Sequence, residues 1–262
     1  MKKIACLFTW VLALCLIVSS IVPAYADSYA SDISSIMSTY SYQNIMASSA
    51  PQQEVNGAYR MVELLEIMAK EKRCDSSKIS DIMSSYSYQN IMASSAPQQL
   101  VNGLYRCVEL LELIALKMNC DSSEVSSIMS TYSYQNIMAS SAPQQAVNGS
   151  YRIVELLELI ALKFGCDSAS VSSVMSTYSY QNIMANSAVQ QLTNGTYRSV
   201  ELLELIAKKL GCDSSEISSI MSTYSYQNIM ASSAVQQAVN GLYRSVELLE
   251  KITLYLDGDS II

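Results

Sequence analysis

Histidine is absent from this 262-residue chain. That removes the base that ordinarily activates a serine or cysteine nucleophile and the nitrogen ligand of most zinc sites. A glycine-rich phosphate loop following a strand is missing, as are carboxylates at calcium-loop spacing. Tryptophan occurs once, at Trp10, and phenylalanine twice, so tyrosine carries the aromatic load with 18 residues. Basic residues are outnumbered, 16 against 23 acidic, and each helical arginine is followed by two glutamates. A phosphate backbone needs a clustered basic face, so nucleic acid is not expected as a partner.

The first 26 residues read as an export signal: Lys2 and Lys3, an apolar run over 4–18, then Ala24-Tyr25-Ala26 as a small-x-small cleavage site. The alternative is an uncleaved anchor, since the apolar stretch over 4–22 is long enough to span a bilayer, and the membrane enters only through that alternative. Cleavage removes two lysines and no acid, moving the net charge from −7 to about −9. The expected location is secreted or cell envelope.

The rest of the chain repeats. Tyr-Ser-Tyr-Gln-Asn-Ile-Met begins at Tyr40, Tyr86, Tyr132, Tyr178 and Tyr224, always 46 residues apart. Self-similarity at this period marks units that bury their apolar faces only against their neighbours. The divisions are a signal peptide at 1–26, repeats at 28–73, 74–119, 120–165, 166–211 and 212–257, and a tail at 258–262. The expected fold is all-α, an α-solenoid of five helical hairpins, with Lys70 to Arg73 closing the first long helix and Lys251, Asp257 and Asp259 near the end of the last.

Within the third copy, Asp121-Ser122-Ser123-Glu124 is a capping box, and Val125, Ile128, Met129 and Tyr132 follow at helical spacing. A kink or short extra helix is expected over 134–140. Ser141-Ala142-Pro143-Gln144 then starts a second helix that ends at Gly165. The residues before the repeated cysteines are Arg73, Asn119, Gly165 and Gly211; Arg73 departs from the Asn or Gly that a left-handed cap requires. The long helix of the second copy, from Val101 and Leu104 to Ile114 and Ala115, is apolar nearly all round, which requires packing on more than one side.

An Asn-Gly pair interrupts this helix in every copy, from Asn56-Gly57 to Asn240-Gly241. A mid-helix glycine costs about 1 kcal/mol relative to alanine, so something must offset it. Either a neighbouring backbone approaches closely there, or Asn caps a helix beginning at that point. Comparison of the copies favours close approach: variation gathers at residues 51, 54, 58 and 61 and their equivalents, on one side of a continuous helix, whereas Gln53, Asn56, Gly57, Arg60 and Glu63 recur unchanged.

Cys74, Cys120, Cys166 and Cys212 recur at the same interval, with Cys107 apart. Equivalent residues of stacked units stand roughly 8–10 Å apart, beyond the reach of about 7 Å for bridged Cα atoms. Free thiols are expected, and an intermolecular bridge remains open because the number is odd. No metal and no cofactor is expected.

Two sets of polar residues are candidates for function. The first is an interaction face of Tyr42, Tyr88, Tyr134, Tyr180 and Tyr226 with Gln43, Gln89, Gln135, Gln181 and Gln227, whose rings and amides suit a glycan or a peptide backbone. The second is an inter-repeat ladder of Asn56, Arg60 and Glu63; Asn102, Arg106 and Glu109; Asn148, Arg152 and Glu155; Asn194, Arg198 and Glu201; and Asn240, Arg244 and Glu247. Paired carboxylates can serve acid–base chemistry, but five equal copies fit a structural ladder better than an active site. The expected function is an exported, non-enzymatic scaffold binding a protein or polysaccharide outside the cytoplasm. The alternative is a self-associating envelope protein; a hydrolase would require an asymmetric pocket.

Overall fold

The computed structural model describes residues 26–39, 49–85, 95–131, 141–177, 187–223 and 234–259. Among these the chain is all-α, ten helices and no strand. Short helices α1 (Ala26–Thr39), α3 (Ser76–Ser85), α5 (Ser122–Thr131), α7 (Ser168–Thr177) and α9 (Ser214–Thr223) alternate with long ones. These are α2 (Ala50–Glu71), α4 (Ala96–Lys117), α6 (Ala142–Lys163), α8 (Ala188–Leu210) and α10 (Ala234–Asp259).

Each long helix packs on the next, from α2 to α10, and α10 packs back on α2 within the range of the other neighbouring pairs. The five long helices therefore close into a ring. Helix α1 straddles the junction of α10 and α2, just as α5 sits between α4 and α6. The short helices insert Ile33, Ile79, Val125, Val171 and Ile217, all buried, each contributing about 2 kcal/mol by burial.

The closure is repeated in detail. Tyr59 donates its hydroxyl to the Gln99 carbonyl at 3.4 Å and Tyr105 donates to that of Gln145 at 3.4 Å, while across the junction Tyr243 donates to Gln53 at 3.5 Å. Tyr151 makes the same bond to Gln191 at 3.5 Å, and an arginine lies over the tyrosine of the preceding copy at all five steps, so equivalent levels stand side by side and the five long helices run parallel. Their dipoles repel in that arrangement, and the continuous buried core offsets the cost.

The mid-helix glycines lie where neighbours touch. A β-carbon on Gly57 would stand 2.9 Å from the Leu242 Cβ, and one on Gly103 3.0 Å from the Ala58 Cβ. Helices α2 and α4 run unbroken through these residues, so close approach, not capping, accounts for them.

The charged residues that close the first and last long helices make contacts within the ring. Lys72 lies 5.2 Å from the centroid of the Phe164 ring, and since the two hold equivalent positions in the first and third copies, this contact crosses the ring. Asp257 is buried, and Lys251 pairs with Glu216 at 3.3 Å.

Long-helix ends share one cap. Arg73, Asn119, Gly165 and Gly211 all take positive φ, from 54° to 92°. The following cysteine N–H reaches back to Ala69, Ala115, Ala161 or Ala207 at 3.0–3.1 Å, the Schellman pattern. Arg73 thus ends its helix as cleanly as the glycines. At the other end, Ser187 accepts from the Gln190 N–H, while Ser49, Ser95 and Ser141 make no side-chain cap. Asp121 caps α5: it accepts from the Ser123 hydroxyl, which does most to hold its carboxyl below the ordinary range, and from the Ser123 and Glu124 N–H groups.

Candidate functional site: an axial pocket with one carboxyl

Residues 51 and 54 and their equivalents, on the varied edge of the long helices, face the ring axis, whereas residue 58 and its equivalents touch the mid-helix glycine of the next copy. At one end, Pro51, Pro97, Pro143, Val189 and Val235, the same position in all five copies, line a single pocket of about 170 Å³. One turn deeper the wall continues with Glu54, Leu100, Ala146 and Leu192. Leu65, Leu111, Leu157, Leu203 and Leu249 continue the same helical face below and are all buried.

Variation gathers there for a steric reason. Identical positions converge on an axis, so five large residues at one level would overfill it and five small ones would leave a void. Leu100, Ala146, Leu192 and Ala238 alternate large and small around the ring. Strict alternation cannot close on an odd number, and Glu54 occupies the remaining place.

Glu54 is 7% exposed and makes no hydrogen bond or ion pair with any described residue. Burial alone pushes its carboxyl up to about 8. Its signal was present in the sequence as the one charged residue at a position otherwise Leu or Ala, but without the ring nothing marked that position as interior.

The ladder residues occupy the opposite edge of the same helices. Each arginine is buried and lies over the tyrosine of the preceding copy, Arg106 over Tyr59 at 5.9 Å and Arg60 over Tyr243 at 5.7 Å. Burial raises Glu155 to about 7, with Glu158 adding to the rise and Arg198 and Arg152 opposing it. Glu247 is raised to about 7 by burial and Glu250, against Arg60 and Arg244, so this electrostatic coupling also crosses the junction. Asn56 and its four equivalents are half-buried.

The candidate face of Tyr42, Tyr88, Tyr134, Tyr180 and Tyr226 with Gln43, Gln89, Gln135, Gln181 and Gln227 lies outside the described residues. The five cysteines among the described residues are free. Cys74, Cys120 and Cys212 direct their thiols at the carbonyls of Leu113, Leu159 and Lys251 on the next long helix, at 3.6–3.7 Å. Among the described residues no group of three or more acidic or cysteine side chains could hold a metal ion, and no helix is long and apolar enough to cross a membrane.

Comparison with protein-family models, with curated proteins and with solved structures gave no match.

Proposed function

We propose that the chain is an exported, non-enzymatic binding scaffold whose partner is a polymer outside the cytoplasm, a protein or a polysaccharide. Export rests on the first 26 residues. The observation that carries the binding role is the parallel run of the five long helices. In the sequence each copy of the Tyr-Ser-Tyr-Gln-Asn-Ile-Met segment comes shortly before a long helix, and the five long helices begin at the same end of the ring. Repeated weak contacts to a repeating ligand then act together, and affinity rises with their number.

Ring closure favours this reading over self-association, because the varied edge turns to the axis or packs on the next copy, and the ends of the stack cover each other. The test is cosedimentation of the mature ring with insoluble cell-wall polysaccharide and with extracellular matrix protein. Replacing Tyr42, Tyr88, Tyr134, Tyr180 and Tyr226 by Ala one after another should weaken binding stepwise. Retention of full binding by the five-fold variant would refute the proposed face.

A further inference from the structure

We propose that the axial pocket binds a small organic amine, an ammonium group on an apolar body no larger than one ring or a short alkyl chain, with Glu54 as its counter-ion. The pocket is asymmetric in an otherwise repeated molecule. Its wall of Pro97, Leu100, Pro143 and Leu192 offers only hydrocarbon, and Glu54 is its one charged group.

Size sets the body of the ligand. A dry apolar cavity of about 150 Å³ takes benzene, and this pocket of about 170 Å³ is comparable. Charge sets the head. The carboxyl of a residue that is 7% exposed and has no partner among the described residues has acceptor oxygens open to a donor arriving through the pocket. A donor carried in by a ligand meets that need, and a charge-assisted bond from an ammonium group is stronger than one from a neutral hydroxyl. The first turns of five helices surround the mouth and favour negative charge, which aids ionisation of Glu54 itself. The competing ligand on that ground is an anion, and the experiment includes one.

No other titratable group lines the pocket from α4, α6, α8 or α10, and burial is the sole cause of the raised Glu54 value of about 8. Amine binding therefore tracks ionisation of this one residue. Affinity should rise about 50-fold from pH 6 to pH 8, following the ionised fraction of a group titrating near 8 while the amine stays charged.

The experiment is calorimetric titration of the intact ring with benzylamine, benzyl alcohol and benzoate, on the wild type and on Glu54→Gln, with circular dichroism to establish that the variant is folded. Glu54→Leu serves as a second variant. The expected result at pH 8 is benzylamine bound about 10-fold or more tighter than benzyl alcohol by the wild type, no such preference in either variant, and an alcohol affinity independent of pH. Equal affinity for amine and alcohol, tighter binding of benzoate, an amine preference that survives Glu54→Gln, or no saturable binding of benzylamine would each overturn the assignment.

Discussion

The hydroxyl of Tyr243 donates to the carbonyl of Gln53 at 3.5 Å, across 190 residues of chain. The Arg60 guanidinium lies 5.7 Å from the same ring. Both contacts repeat those between consecutive copies, so the junction of first and last copies is one more repeat interface and not a separate device.

Gly57 therefore gives a prediction whose sign depends on closure. In the ring, Gly57→Ala drives a β-carbon to 2.9 Å from the Leu242 Cβ, and overpacking of this kind costs roughly 1–3 kcal/mol. In an open stack Gly57 would have no such neighbour, and the same change would stabilise the helix by about 1 kcal/mol. Urea denaturation should show Gly57→Ala destabilised.

Several carboxyls bind protons more tightly in the folded ring than in the unfolded chain. Glu54 stands at about 8, and Glu155, Glu201 and Glu247 at about 7, against an ordinary value of 4.5. Raised folded values mean that this stability is fully present below the ordinary value of 4.5 and is lost as pH rises from there through 7 to 8, by up to about 1.4 kcal/mol per pH unit for each group. At the acid end, Asp75, Asp121, Asp167 and Asp213 have lowered values, so their contribution is lost as pH falls below the ordinary aspartate range. Thermal melts should place the optimum near pH 4–5, with Tm lower by about 10 °C or more at pH 8. Glu54→Gln should reduce that loss, and an unchanged profile would contradict the assignment of Glu54.

Arg73 holds φ at 54° where two other copies use glycine. Arg73→Gly should raise stability by up to about 1 kcal/mol, because glycine takes the left-handed region without strain. A decrease in the denaturation midpoint would mean that the Arg73 side chain contributes more than its backbone costs.

Cys107 is wholly buried and its thiol is pushed up by that burial, whereas Cys74, Cys120 and Cys212 are half-buried. In the chain lacking residues 1–26, a thiol reagent should modify Cys107 last under native conditions, and all five cysteines after unfolding. Fewer than five after unfolding would reveal a bridge.

Helix type, helix order and the need for packing on several sides could be read from the periodicity of residues such as Val101, Leu104 and Ile114, since a 3.6-residue stripe and its width are local properties. The meaning of the mid-helix glycine was legible too, because only one edge of the helix varied. Closure was not. It depends on the angle between successive copies, which no single residue encodes, and of the charged residues at the helix ends Asp257 is buried while Lys72 is half-buried over Phe164. Without closure Glu54 reads as an ordinary exposed glutamate in the first turns of a helix, where an acid is favourable.

The most direct test of the ring is a set of distances between spin labels. Ser34, Ser80 and Ser218 are exposed and occupy equivalent places on α1, α3 and α9, so cysteines placed there, with Cys74, Cys107, Cys120, Cys166 and Cys212 replaced, can be labelled in pairs. The closed ring predicts that the 34–218 distance equals the 34–80 distance, since both pairs belong to adjacent copies. A 34–218 distance several times longer would mean an open row and would contradict the account.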